Sequence, residues 1–581
     1  MIEKMTKYSF ILTGKENESF LASLSELGVM DICRSSKPID ERSSEMFSEA
    51  GSLSRRIALL EKGNWKADGE YSSFLERRTE AQRELDARLP WGEYDPEKLA
   101  ALERNGLKFH YYIIPEKKFE PRWLDEYAAE EVNCSGGNVW LAVAAPADEV
   151  PDIPFKEVPG PDTALSVFKE RVAAIDAAIL KREEELKAEA SRVPAMKAEL
   201  AAHLHDLDLY WAGAAAENAA DGHLTLYTGF APSEKDAELT HELDGRGYFY
   251  FAEPAVTEDN PPIKLRNNRF SKQFELLTDM YGRPDYNEFD PTPYISIFFL
   301  LFFAMCMGDA GYGLMLVIIG QLLRKSEGMK NLSPLVTILG VGTFLVGIVM
   351  HTFFGYDISA VEWIPSWMKS VMITGTIGGF EAQMVLALAI GIVHLCLAMV
   401  VKTVYATRNK GFLGSLGVWG WTLLIVGGVI LAALGIANLL PAAILKWVVI
   451  ALGVISALGI FLFNDIHRNP LKNIGSGLWE TYNTVTGLLG DVLSYLRLYA
   501  LGLAGGMLGK AFNDIAAMTL GDGSFGIGWL AFVVIFLIGH ALNLAMCCLG
   551  AFVHPLRLNF LEFFKNSGYD GKGRVYSPLK K

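Results

Sequence analysis

From Pro291 onward, apolar segments of membrane-spanning length recur one after another, separated by polar or Gly/Pro-bearing breaks. No other feature restricts the fold as strongly, because a backbone in hydrocarbon must satisfy its own hydrogen bonds, as a helix does. Eight segments are expected. The first two, about 293–307 and 310–324, are short and meet at MGDAGYG, and four more lie near 334–356, 381–402, 413–437 and 444–466. The last two, about 478–512 and 525–564, are longer than a perpendicular crossing needs and are expected to tilt or to extend past the bilayer.

Charge divides the chain at the same place. Residues 1–290 carry 35 Lys+Arg against 55 Asp+Glu, whereas 291–581 carry 18 against 12. A soluble acidic part therefore precedes an apolar, slightly basic one. The opening MIEKMTKYSFILTGKENESF has too short an apolar run and no small-residue cleavage site for a signal peptide, so the first part is expected to begin in the cytoplasm. Even-numbered connections would then be cytoplasmic. They hold Arg324, Lys325 and Lys330, then Lys402, Arg408 and Lys410, then Arg468 and Lys472, and finally Lys565, Lys572, Arg574, Lys580 and Lys581. The opposite loops hold little beyond Lys369, Lys446 and Lys510, in keeping with the positive-inside rule, and Trp363 and Trp367 suit an outer interface. Six cysteines make no CxxC pair, which argues against both a disulfide framework and a zinc site.

In the first part, Leu165, Phe168, Val172, Ile175, Ile179, Leu186, Val193, Met196, Leu200, Leu204 and Leu207 recur at threes, fours and sevens with charges between them. This predicts a coiled-coil seam, interrupted near Pro194. A second helical arm over 42–95, broken at GNWKADGE, would run antiparallel to it. HYYIIPEKKF and NVWLAVAAPADEV read as strands of a distal α/β lobe, and KYSFILTG with HLTLYTGFAPSEKDAELTHELDGRGYFYFAEPA as a second lobe. The expected division is a head over 1–290, a membrane domain over 291–566 and a cytoplasmic tail over 567–581. Within the head, one lobe takes 1–40 plus 220–262, the arms 42–95 and 163–215, the distal lobe 96–160, and a linker 263–290. The nearest phosphate-loop lookalike, AGGMLGKA at 504–511, has Ala504 and Ala511 at positions where the motif needs Gly and Ser/Thr, so no nucleotide site is expected.

The chemistry lies in polar residues set within apolar helices. In GDVLSYLRLYALGLAGGMLGK, Arg497 sits near mid-span, where a central arginine costs roughly 2.5–3.5 kcal/mol on insertion scales. Gly490, Ser494, Ala500 and Ala504 share its face at steps of three and four, which lets a partner helix approach closely. Asp491 and Glu480 lie six and seventeen residues earlier and share that face poorly, so the counter-charge is expected on a neighbour. His540, Asn543, Cys547, Gly550, His554 and Arg557 form a polar stripe on the eighth segment. Asp309, Glu381, His394, Glu480 and Asp491 are further candidates for wet positions. Asp309 could instead cap a helix, Glu381 and Glu480 could be interfacial, and His394 or His540 could serve packing.

SYLRLYALGLA resembles the arginine-bearing helix of subunit a, or I, of the V-type and A-type rotary ATPases. The stretch from Pro261 to Gly313, LGAFVHPLRLNFLEFF and the GFAP segment resemble the same family. The resemblance implies a non-catalytic stator in a multi-pass cell (inner) membrane location, with both termini cytoplasmic. It would form two half-channels for H⁺ or Na⁺ against a proteolipid c/K ring and need no cofactor. Partners implied are the ring, peripheral stalk subunits E and G/H, the C/d adaptor of the central stalk and the bilayer, without nucleic acid. Arg497 matches the essential arginine, Arg557 and His554 the second basic positions, and Asp309 the acidic corner of the cytoplasmic side. Two departures are Cys547, where some relatives bear glutamate, and Gly505, where some bear histidine, so Glu480, Asp491 or His540 would carry more of the outer path. A self-contained secondary transporter with a regulatory head is the competing reading, and it would require repeats and a substrate pocket within the chain.

Overall fold

The computed structural model describes the chain apart from residues 14–15, 36, 147, 161–162, 220–222, 327, 363, 464–469, 521–526 and 581. Trp363, Arg468 and Lys581 lie outside the described residues, as do the end of the expected sixth segment and the start of the eighth. In chain order the first part forms β1 (Met5–Thr13), α1 (Asn17–Leu27), β2 (Asp31–Ile32), α2 (Glu41–Lys62), α3 (Gly69–Arg88), α4 (Pro96–Arg104), β3 (Leu107–Pro115), α5 (Arg122–Glu126), β4 (Ala128–Ser135), β5 (Asn138–Pro146), β6 (Glu157–Val158), α6 (Leu165–Ala190), α7 (Val193–Ala214), β7 (Glu217–Ala219), β8 (Leu224–Pro232), α8 (Asp236–Arg246), β9 (Tyr250–Pro254) and α9 (Glu275–Tyr281). Two compact units result, one of residues 15–28, 33–216 and 580–581, the other of 1–14, 29–32 and 217–579.

The first unit is built on paired helices. Leu165, Val172, Ile179, Leu186 and Val193 are buried at every seventh position. α6 packs on α3 and α2, and α7 on α2, so that Ile57, Leu60, Tyr71, Ile179, Leu186 and Val193 form a shared core. Leu204, in the expected seam, is largely exposed. Pro194 falls in the first turn of α7, where its missing N–H has no partner to lose. The opposite break, GNWKADGE, ends α2 on left-handed Gly63 and restarts with Asp68 as the N-cap of α3, its carboxylate accepting from Tyr71 N at 3.0 Å. That carboxylate is buried and pairs with Arg56 at 2.7 Å and Arg182 at 3.2 Å, while Arg56 also grips Glu189. Beyond the helices lies an antiparallel sheet of order β4-β5-β3-β6, its core made by Tyr112, Ile114, Trp123, Leu141, Val143 and Ile153.

The second unit contains an antiparallel sheet of order β2-β8-β1-β9 with β7 paired to β8. Tyr8 and Phe10 of β1 and Tyr227 and Phe230 of β8 are buried, as are Leu239 and Leu243 of α8. The segment 263–290 is packed rather than loose. Glu3 N donates to Lys264 O at 2.9 Å and Met5 N to Tyr286 Oη at 2.9 Å, while Phe274, Leu277 and Phe289 enter the core of the apolar part.

The apolar part comprises α10 (Thr292–Met307), α11 (Ala310–Leu323), α12 (Ser333–Val349), the hairpin β10 (Thr352–Phe353) and β11 (Tyr356–Asp357), α13 (Ser366–Lys369), the hairpin β12 (Thr376–Ile377) and β13 (Phe380–Glu381), α14 (Ala382–Gly414), α15 (Leu416–Thr422), α16 (Gly428–Ile436), α17 (Ala442–Phe461), α18 (Pro470–Ser494), α19 (Leu496–Met518), α20 (Ile527–Arg557) and α21 (Phe564–Ser567). Among the described residues, five stretches are long and apolar enough to cross a membrane: Ala382–Gly414, Leu416–Ile436, Ala442–Phe461, Lys472–Met518 and Gly528–Ser567. α10, α11 and α12 are shorter, at 16, 14 and 17 residues. At 1.5 Å per residue they reach about 21–26 Å, against a hydrocarbon core of about 30 Å. The chain is thus a multi-pass membrane protein with an N-terminal α/β region.

Several segment boundaries differ from expectation. The third helix ends at Val349, because residues 352–357 turn back as a hairpin. The fourth runs on to Lys410, where left-handed Gly411 interrupts it, so Lys402, Arg408 and Lys410 ride on helix rather than on a connection. Lys446 and Lys510 likewise lie within α17 and α19. The seventh breaks at Tyr495, between α18 and α19.

Candidate functional site

Arg497 is the second residue of α19, directly after that break. The break is fixed by packing. Tyr495 is fully buried against Gly391 of α14, where a Cβ would stand 2.3 Å from its ring. His394, one turn along α14, shares a hydrogen bond of 2.9 Å with Tyr495 Oη and stacks on Phe563 at 4.7 Å and beside Phe298 at 4.2 Å. His394 is therefore enclosed among aromatic rings and bonded to the residue at which α18 gives way to α19.

The Arg497 guanidinium turns partly inward. Its Nη1 is buried without a hydrogen-bond partner, and among the described residues it forms no ion pair. Asp491 is engaged elsewhere, accepting from Asn566 Nδ2 at 2.8 Å with Lys565 Nζ 3.5 Å away. His554 lies within electrostatic reach of both Arg497 and Arg557, and its Nδ1 is also buried and unpartnered. Arg557 is exposed. Of the small residues on the expected face, Gly490, Ala500 and Ala504 are exposed, while Ser494 turns to its own chain and donates to Glu562 Oε1 at 2.6 Å. Glu562 is buried in the π-helical turn Leu558–Phe563, and its Oε2 has no partner. Sequence reasoning missed Glu562, since a lone acid closing an apolar helix reads as interfacial. Only its proximity to Ser494 reveals it.

Two polar cavities meet the α18–α19 helix pair on either side of Arg497. One, of about 310 Å³, is bordered by Glu480, Asn483 and Asp491 of α18 with Lys402, Lys565 and Asn566. The other, of about 460 Å³, is bordered by Tyr499, Gly502, Gly506 and Lys510 of α19 with Glu381, His351 and Asp357. Tyr499 Oη donates to the Glu381 carboxylate across its mouth, and His351 Nδ1 lies 3.1 Å from Asp357. Tyr499, His351 and Asp357 are further residues that sequence reasoning did not single out.

Asp309 follows Gly308, which borders the second cavity. α10 leads away from Thr292, next to the packed 263–290 segment, and finishes where Gly308 borders the Glu381 cavity. There the Asp309 carboxylate caps α11 through Gly311 N and Tyr312 N at 2.8 and 3.2 Å. It also anchors the hairpin through Phe354 N and Gly355 N at 2.9 and 2.8 Å. Four backbone donors thus converge on this one carboxylate, which serves as the N-cap of α11.

His540 and Asn543 enter a buried network with Tyr312 and Asn513. Asn513 Nδ2 donates to the Phe354 carbonyl at 2.6 Å, so its Oδ1 must accept, and His540 Nε2 carries the proton that bonds it at 2.8 Å. His540 Nδ1 then accepts from Tyr312 Oη at 2.7 Å. The Tyr312 oxygen accepts from Asn543 Nδ2 at 2.7 Å, and Cys547 Sγ donates to Asn543 Oδ1 at 3.3 Å. Asn543 Nδ2 also donates to Gly505 O at 2.9 Å. Both ring nitrogens of His540 are thereby occupied. Gly505 and Cys547, the two departures from the resembled pattern, face each other: a Cβ on Gly505 would stand 2.7 Å from Cys547 Sγ.

Comparisons with known proteins agree with this arrangement. The model of the V-type ATPase 116 kDa subunit family matches residues 222–342 and 478–581, which include the kinked arginine helix and the helix carrying His554 and Arg557. The chain is 34% identical over 386 residues to the A-type ATP synthase subunit I of Methanocaldococcus jannaschii, covering 60% of this chain and 54% of that protein. It is 32% identical over 361 residues to the subunit I of Pyrococcus horikoshii, covering 60% and 52%. The chain thus spans about half the length of these relatives. The V-type ATP synthase subunit I 1 of Treponema pallidum aligns over the whole of both chains at 25% identity. An arginine set at the start of α19, a basic and polar last helix and these matches converge on one likeness: over residues 222–342 and 478–581 the chain matches the V-type ATPase 116 kDa subunit family, and it is similar to subunit I of the A-type and V-type ATP synthases.

Proposed function

We propose that the chain is the stator membrane subunit of a rotary ATPase, coupling H⁺ or Na⁺ movement to ATP synthesis or hydrolysis in partner subunits. The observation that carries this reading is the pair of separate polar cavities flanking Arg497, an arginine with no ion-pair partner among the described residues. A self-contained salt bridge would have silenced that charge. Left open, it attracts an ionised carboxylate on a passing proteolipid ring and favours release of that carboxylate's ion. Arginine stays protonated and so keeps its fixed charge between the cavities, blocking leakage from one to the other.

The chain would cross the bilayer eight times, α10–α12 as short crossings, with both termini cytoplasmic. Glu480, Asp491 and Glu562 would line the cytoplasmic path, and Glu381 with Tyr499 the outer path. Arg557 and His554 would extend the basic surface facing the ring, and exposed Gly490, Ala500 and Ala504 would admit the ring helices. Asp309, His394, His540 and Asn543 would hold the frame. The helical pairs of the first part would act as an antiparallel coiled-coil arm whose lobes bind peripheral stalk subunits E and G/H and the C/d adaptor.

The test is Arg497→Ala in the intact complex, with ATP hydrolysis and ion pumping measured together. Loss of pumping is expected. Pumping at the normal rate refutes the reading.

A further inference from the structure

The C-terminal segment after α21 is folded back on the second unit from Tyr569 to Leu579. Tyr569 Oη donates to Gly282 O at 2.7 Å, and Asp570 N to Glu288 Oε1 at 2.8 Å. Gly573 N donates to Arg283 O at 2.9 Å. Ile263 then bonds on both sides of Val575, its N–H donating to Arg574 O at 2.6 Å and its carbonyl accepting from Tyr576 N at 3.2 Å. The last residues reach the β2 edge of the sheet. Ser577 N donates to Asp31 Oδ2 at 2.8 Å, Leu579 N to Met30 O at 2.9 Å, and Tyr576 Oη to Val29 O.

The fit is close as well as hydrogen-bonded. Leu579 is fully buried and Tyr569 nearly so. A Cβ on Gly573 would stand 1.9 Å from the Pro284 carbonyl oxygen, and one on Gly282 would stand 2.1 Å from Gly571 O. Only backbone fits between these strands, so the glycines are part of the joint. Arg574 adds its charge, 3.8 Å from Asp31 and over the ring of buried Phe230.

We infer that residues 569–579 are a mechanical strap, a second tether that fixes the sheet lobe to the far end of the α20 helix. The chain itself joins lobe to membrane only once, through Asp290 and α10. A single covalent connection can pivot about itself, whereas two separated attachments resist rotation. The second attachment starts from α20, the helix that carries His554 and Arg557, so load on that helix passes directly to the lobe. This inference rests on the stator reading, and it adds a load path which that reading does not specify.

The test uses the full complex in membrane vesicles with two variants, Gly573→Val and a chain ending at Tyr569. Backbone hydrogen exchange is read at the donating amides of residues 263, 573, 576, 577 and 579, alongside ATP hydrolysis and ATP-driven ion uptake. In Gly573→Val those amides are expected to exchange about a hundredfold faster or more, as undocked backbone does. In both variants ions moved per ATP hydrolysed should fall while ATP hydrolysis continues. Unchanged uptake per ATP in the shortened chain overturns the strap, and so does unaltered exchange in Gly573→Val. Failure of the stator reading looks different: Arg497→Ala would go on pumping, with exchange in the tail left as in the native chain.

Discussion

The charged knot at the break between α2 and α3 allows a quantitative test. Burial by itself would raise the Asp68 carboxyl, but the Arg56 guanidinium, the Tyr71 N–H and the Arg182 guanidinium outweigh it and bring the pKa down to about 2. Against an ordinary aspartate near 3.9, that difference corresponds to about 2 kcal/mol of stability when the group is ionised. The folded-state value is depressed, so this contribution is fully present above about pH 4 and is lost as pH falls towards 2. Asp68→Asn removes the charge while keeping a good N-cap, whereas Asp68→Ala removes the cap as well, for about 1 kcal/mol more. Hydrogen exchange of α2 and α3 amides in the full chain at pH 7 should quicken about thirtyfold in the Asn variant and further in the Ala variant. The gap between native chain and Asn variant should close as the pH is lowered below about 4. Native-like exchange in Asp68→Asn at pH 7, or a gap that does not change with pH, would refute the reasoning.

Two further outcomes follow from the membrane helices. Glu562→Gln keeps the shape that accepts from Ser494 but cannot take up and release a proton; ATP-driven ion uptake by the complex should drop by about tenfold or more, and unchanged uptake would exclude Glu562 from the path. Gly505→Ala overpacks the seam against Cys547 Sγ and should cost about 1–3 kcal/mol in thermal stability of the detergent-solubilised chain, most of it recovered by adding Cys547→Ala. Additive losses in the double variant would show that the two residues do not meet.

How much could be read beforehand depends on the range of the interaction. The seven-residue spacing from Leu165 to Val193 and the apolar runs after Pro291 are local patterns: the first became a buried helix face, and among the described residues five of the eight runs became membrane-length helices and three shorter ones. Arg497 was legible because a charge amid small and apolar residues is costly wherever the helix lies. Glu562, Tyr312, Asn513 and Tyr499 were not, because their meaning comes from a second helix whose register no local pattern records. The same holds for Asp309, whose carboxylate holds the hairpin at Phe354 and Gly355 as well as capping its own helix. The tail illustrates the limit most plainly: GYDGKGRVYSPLKK has the composition of a loose end, and its binding partners lie roughly 300 to 550 residues earlier in the chain.

The bonds from Cys547 through Asn543, Tyr312, His540 and Asn513 to the Phe354 carbonyl all point one way. A proton can hop along hydroxyls, imidazoles and waters, because each can accept on one side while releasing on the other. A side-chain amide cannot do this without becoming an unstable imidic acid. With Asn543 and Asn513 set either side of the Tyr312–His540 pair, an amide closes this chain of bonds at each end, and its aligned dipoles tie α11, α19 and α20 together.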